Sequence, residues 1–236
     1  MPHSSAEQTS AFFQQWAVYQ TIIEKNYMYH QEIIEQLNEI IQYHPNTSDL
    51  QVLDLGCGDA ALVAQTQYGE RIADYTGVDL SANALEFAQE KLDSQPFAVH
   101  LVKDDFFQAI QNDEKLYDLI VVGYTLHHLS QADKQDFFMA ARQHLKPQGQ
   151  LLIYDVVRSL PESRDAFIAR MCEHFTQTWT QFDNAQMRRI HQHIQNNDQP
   201  ETAEFFADRQ QQAGFKDCRL LFQDQDHFYQ MIVYQA

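Results

Sequence analysis

Val52-Leu53-Asp54-Leu55-Gly56-Cys57-Gly58-Asp59 is an apolar run that closes on two glycines, the pattern of a buried strand ending in a tight turn and leading into a helix. Twenty-one residues after Gly58, a second run, Thr76-Gly77-Val78-Asp79-Leu80-Ser81, ends in a carboxylate. Strand, glycine turn, helix, strand and terminal acid describe a βαβ unit that holds a nucleoside. Glycines let a ligand approach the backbone, and the acid accepts hydrogen bonds from ribose hydroxyls.

At 236 residues the chain suits one α/β domain with an elaboration. Lys and Arg total 16 against 33 Asp and Glu, a net charge of −17, so a polyanionic partner is disfavoured and no nucleic acid is expected. The apolar runs are of strand length, and Met1 to Ser10 has neither a basic nor an apolar leader segment, so no membrane association is expected and the location reads as cytoplasmic. Cys57, Cys172 and Cys218 lie far apart, without disulfide or CxxC spacing, and no metal site is expected.

The pattern predicts a single domain over 1–236 in four parts. Residues 1–45 form an N-terminal helical cap, with Phe12, Phe13, Trp16, Tyr19, Ile22, Ile23, Ile33, Ile34, Leu37 and Ile40 at helical spacing over two helices. A core over 50–156 alternates strands 51–55, 74–79, 97–102, 117–122 and 149–156 with helices 59–67, 81–93, 105–111 and 131–145, which implies a doubly wound parallel sheet. Residues 160–212 form a helical insertion or lid after the fifth strand, broken near Asn196 to Pro200. Residues 215–235 form an antiparallel terminal hairpin, giving seven strands, mostly parallel.

Gly56-x-Gly58 is followed by Ala61 where a dinucleotide fingerprint has its third glycine. The third strand closes on Leu101-Val102-Lys103-Asp104-Asp105-Phe106. The fourth runs through Tyr117-Asp118-Leu119-Ile120-Val121-Val122-Gly123-Tyr124 to Thr125-Leu126-His127-His128-Leu129. The fifth follows Leu145-Lys146-Pro147-Gln148-Gly149 and ends at Tyr154-Asp155. Over residues 50 to 156 this series resembles the class I S-adenosylmethionine-dependent methyltransferases of the small-molecule type. The resemblance implies S-adenosylmethionine as cofactor and S-adenosylhomocysteine as product. It sets Asp54 near the cofactor's ammonium group and the Gly56-Cys57-Gly58 backbone against its amino-acid moiety. Asp79 would lie on the ribose, Leu80 beside the adenine, and Asp105, or Asp104 one residue earlier, on the adenine amino group with the Phe106 N–H. Gly123 and Tyr124 would face the methionine end. Cys57, between two turn glycines, reads as a small packing residue, and Asp118 as structural.

Methyl transfer from a sulfonium is an in-line displacement. A neutral amine attacks directly, whereas a hydroxyl needs a base, so nitrogen and oxygen acceptors both stay open. Catalytic candidates are His127, His128, Tyr124 and Asp155. The histidine pair also suits a loop-organising role, and strand alternation favours Asp155 over Tyr154 as the residue facing substrate. Tyr27, Met28 and His30 are candidate lid residues, and Arg188 and Arg189 candidate ligands for a substrate carboxylate. The expected partner is a small-molecule methyl acceptor, with oligomeric state unspecified. The competing readings are a nicotinamide-dependent oxidoreductase on a similar sheet and a non-catalytic cofactor-binding regulatory protein.

Overall fold

The computed structural model describes residues 16–46 and 48–236, so Phe12 and Phe13 lie outside the described residues. Two compact units divide it, one formed by residues 16–31 with Ser163–Asp198, the other by Glu32–Glu162 with Gln199–Ala236.

The larger unit is built on a sheet of order β3-β2-β1-β4-β5-β8-β7. Its strands are β1 Leu50–Leu55, β2 Ile72–Asp79, β3 Ala98–Lys103, β4 Tyr117–Gly123, β5 Leu145–Arg158, β7 Asp217–Gln223 and β8 Tyr229–Gln235; the two-residue β6, Glu201–Thr202, pairs with the end of β5. Strands β1 to β5 are parallel and β8 is antiparallel to both β5 and β7. The seven-strand path and its antiparallel end match the sequence reading, with β6 added. β1 and β4 are almost wholly buried because apolar cores cover both faces. One core gathers Leu53, Leu55, Ile120, Phe137, Phe138 and Tyr234, the other Ile33, Leu37, Ile41, Val52, Tyr75 and Val121.

Helix α1 occupies residues 16–24 of the described chain and α2 His30–Tyr43, separated by a turn in which Asn26 and Tyr29 take left-handed backbone angles. The later helices are α3 Ala82–Leu92, α4 Phe106–Asn112, α5 Gln131–Gln143, α6 Arg164–Thr178, α7 Asn184–Asn197 and α8 Ala203–Ala213. Each of these six starts at a side chain that accepts from first-turn N–H groups: Ser81, Asp105, Ser130, Ser163, Asp183 and Thr202. In the smaller unit α6 packs on α7, and Trp179 stacks between Phe175 and Tyr27, with ring centroids 3.8 and 5.1 Å away.

The helix expected over 59–67 does not form. In its place stands one 3₁₀ turn, Val63–Gln65, followed beyond the expected span by a second, Gly69–Arg71. Gly56, Gly58 and Ala60 have φ of +75°, +54° and +54°, and a left-handed Ala60 cannot sit in an α-helix. The cause is non-local. Asp59 is fully buried, its carboxylate accepting from Lys91 on α3 and from Ala61 N, which pins the chain in the turn. β5 also begins earlier than expected, at Leu145, with a register irregularity where it meets the start of β4.

At the amino end of β4, Asp118 accepts from Gln51 N (2.8 Å), Lys146 Nζ (2.7 Å) and Asn46 Nδ2, tying the first, fourth and fifth strands together. At its carboxyl end Gly123 has no room for a side chain, since a Cβ would lie 1.8 Å from the Tyr154 ring. Gly123→Ala should therefore destabilise the protein by roughly 1–3 kcal/mol through overpacking, read by urea denaturation, with part of the loss recovered when Tyr154→Leu is added.

Candidate functional site

The carboxyl ends of β1, β2 and β4 converge on the glycine turn. Gly56 N and Cys57 N donate to Val78 O at 2.8 and 3.0 Å, folding the turn back over β2. A Cβ on Gly56 would meet Thr125 Oγ1 at 2.4 Å, so Thr125, just beyond β4, occupies the space that glycine leaves. Asp79 accepts from Gly58 N (2.9 Å) through one oxygen and from Ser81 N (2.8 Å) through the other. Both bonds come from backbone, so the carboxylate is fixed in direction while each oxygen keeps a further lone pair. Leu80 beside it is 64% exposed, a large apolar side chain on the open side of the turn.

Asp54 lies beneath the turn and accepts from Tyr75 Oη at 2.9 Å. It is buried, and burial pushes its carboxyl up to about 7, helped by the nearby Asp79 and opposed by the Tyr75 hydrogen bond. Such a carboxylate gains strongly from a cation arriving beside it. Burial also raises the Cys57 thiol far above its usual range, and its sulfur packs where a Gly77 side chain would stand, so it is no nucleophile at neutral pH.

Asp105 caps α4, accepting from Phe107 N and Gln108 N through Oδ1, both at 3.0 Å. The Phe106 N–H is in the same first turn and Oδ2 takes neither of those bonds. Asp104 is exposed and accepts from Asp105 N at 2.8 Å, while its own N–H donates to Asp79 O. The ends of β2 and β3 are thereby closed on one another.

Past Gly123, Tyr124 has φ of +50°, a costly angle for a bulky residue. Its N–H donates to Tyr154 O at 2.8 Å, and its ring meets Tyr154 and Tyr229 edge-on at 5.2 and 5.8 Å. Burial raises the Tyr124 phenol well above its ordinary value. Of the two candidates at the end of β5, Tyr154 packs on Gly123 and Tyr124. Asp155 turns the other way, accepting from His127 N (3.1 Å), the His127 ring Nδ1 (2.5 Å) and Val156 N (2.7 Å). Three donors on one buried carboxylate make it a brace for the 126–128 turn. His128 is exposed, its ring 4.1 Å from that of His127.

Asp54, Gly56, Cys57, Gly58, Asp79, Leu80, Asp104, Asp105, Phe106, Gly123 and Tyr124 thus all lie at the carboxyl ends of strands in the larger unit. Tyr27, Met28 and His30 belong to the smaller unit, where Tyr27 stacks on Trp179, and Arg188 and Arg189 are exposed on α7. Residues that sequence reasoning missed are Tyr75, which holds Asp54, and Thr125, which backs Gly56. Only the tertiary register brings them there.

Residues 52–149 match a family model described as a methyltransferase domain. The match runs from β1 to the start of β5 and so covers the strands and turns that carry the candidate site. Among curated relatives, the ubiquinone biosynthesis O-methyltransferase of Rickettsia typhi is 28% identical over 127 residues, covering 53% of this chain and 49% of that enzyme. The chain therefore spans about half the length of that relative. Among solved structures, a putative O-methyltransferase from Nostoc punctiforme has a TM-score of 0.59 at 21% identity, covering 88% of this chain and 55% of that one. The magnesium protoporphyrin IX methyltransferase of Synechocystis, with bound S-adenosylhomocysteine, has 0.58 at 14%, covering 88% and 83%. At these identities the structural likeness establishes the fold alone.

The Asp54 carboxyl also sets a pH dependence. Its native value near 7 lies above the ~3.9 of an unfolded Asp, so the native state holds a proton that the unfolded state has lost. This contribution is fully present below about pH 4 and is lost as pH rises through about 7. Asp54→Asn should remove that decline and leave the ligand-free protein more stable than wild type above pH 7, by no more than ~4 kcal/mol, read from denaturation curves across pH.

Proposed function

We propose that the protein transfers a methyl group from S-adenosylmethionine to nitrogen or oxygen of a small molecule by in-line displacement. The observation that carries this reading is the convergence of Asp54, the left-handed Gly56–Gly58 turn and the backbone-oriented Asp79 at adjacent strand ends. The cofactor would supply an electrophilic methyl on a sulfonium centre. Around it, Asp54 would pair with the ammonium, the Gly56–Gly58 backbone would lie along the amino-acid moiety, and Asp79 would accept from both ribose hydroxyls. Leu80 would cover one adenine face. Asp105 Oδ2 and the Phe106 N–H would take the adenine edge.

Tyr124, Tyr154 and Tyr229 supply an aromatic wall beyond Gly123, where their bulk would keep water from the reacting axis. Asp155 and His127 serve this arrangement by holding the turn that follows Tyr124 and Thr125. A small acceptor suits the strongly acidic chain, whose net charge of −17 disfavours a polyanion. Residues 160–212 are proposed as the lid that selects the acceptor, within a single methyltransferase domain.

Two outcomes test the reading. S-adenosylhomocysteine should raise the melting temperature while NAD does not, and stabilisation by NAD alone would contradict it. Asp79→Ala should weaken S-adenosylhomocysteine at least ~100-fold by calorimetry, because two hydroxyl bonds to a charged acceptor contribute roughly 3–6 kcal/mol. Near wild-type affinity in that variant would remove the ribose assignment.

A further inference from the structure

A buried ion pair lies against the 199–202 segment. Lys134, in the first turn of α5, has a side chain 1% exposed and bonds Glu201 Oε1 at 3.2 Å; the Glu201 side chain is 9% exposed and accepts from Gln131 Nε2 at 3.3 Å through its other oxygen. Glu201 is anchored by the pairing of β6 with the end of β5, where Val157 faces Glu201 and Arg158 faces Thr202. Arg158 reinforces that register, donating from Nε to Pro200 O at 3.2 Å. Lys134 Nζ also donates to Gln199 O, and the Gln199 N–H donates to His127 O at 2.6 Å.

The 126–128 turn is therefore gripped from two sides, by Asp155 through His127 and by the Gln199 peptide that Lys134 and Glu201 hold. Thr125 opens that turn, its carbonyl accepting from His128 N at 3.1 Å and its hydroxyl donating to Gly123 O at 2.7 Å. Its side chain occupies the space against Gly56. A continuous path runs from Glu201 through Lys134 and Gln199 to His127, and along the 125–128 turn to Thr125 and the space against Gly56.

A buried ion pair contributes little net stability compared with an apolar pair of the same shape, so its value lies in direction rather than in energy. We propose that Lys134 and Glu201 are positioning residues for the cofactor turn, which lock the 199–202 segment onto the 125–129 turn and so set Thr125 against Gly56. The segment is the chain's return from residues 163–198 into the sheet. The docking of that return thus fixes the geometry of the first strand's turn. This rests on the reading of Gly56–Gly58 as the cofactor's seat.

Two variants test it. Gln199→Pro deletes the N–H that reaches His127 O, and Asp198, at φ −85° and ψ 133°, is already in the extended region a following proline requires. The double variant Lys134→Met with Glu201→Leu replaces the ion pair by apolar side chains. Each should bind S-adenosylhomocysteine about three- to tenfold more weakly by calorimetry, at a temperature where it is fully folded. A role confined to stability would lower the melting temperature and leave that affinity unchanged. Unchanged affinity in Gln199→Pro would overturn the proposal, whether or not the double variant folds. Hydrogen exchange at the Gly56 and Gly58 amides of ligand-free protein is the independent readout. Faster exchange in Gln199→Pro supports the coupling and unchanged exchange overturns it, while a wild type that fails to bind S-adenosylhomocysteine counts against the proposed function instead.

Discussion

The glycine turn depends on an absence of side chain at two places. At Gly56 the backbone is left-handed and Thr125 fills the volume a Cβ would need; at Gly123 the Tyr154 ring does the same. Because one vacancy is filled from the turn just beyond β4 and the other from β5, the first strand's turn, the end of β4 and the Tyr154 region of β5 become one interlocked assembly. The carboxylates are then placed by geometry rather than chosen for stability. Asp54 is buried under the turn with a tyrosine hydroxyl for a donor, and Asp79 is aimed by two backbone N–H groups.

That assembly separates two tasks. On one face Asp54, Tyr75, Tyr154 and Tyr124 border the glycine turn, where the chemistry proposed for the chain needs a seat for a cation and a dry wall. On the other, Asp155 with His127 and Lys134 with Glu201 form buried side-chain pairs that bind loop to strand. A buried carboxyl titrating near 7 is a cost to the ligand-free fold, which fits a group retained for what binds beside it.

Most of the sheet was legible because its strands are short apolar runs rich in Val, Ile and Leu, and six helices carry their own caps in the sequence. The failure over 59–67 has a definite origin. Ala60, Ala61, Leu62 and Val63 favour a helix locally, but Asp59 is drawn into the interior by Lys91, 32 residues away, and Ala60 is forced left-handed. The strand-end acids were readable as a spaced set. Their partners were not, since Tyr75 lies 21 residues from Asp54 and His127 lies 28 from Asp155, and only the parallel register joins them. Alternation put Tyr154 and Asp155 on opposite faces, yet it could not say which face borders the glycine turn.

The most direct measurement is a carbon NMR titration of the Asp54 carboxyl with and without saturating S-adenosylhomocysteine. The account predicts a midpoint near 7 in the free protein and one displaced well below it in the complex, where an ammonium group pairs with the carboxylate. A midpoint that S-adenosylhomocysteine leaves unmoved at saturation would contradict it.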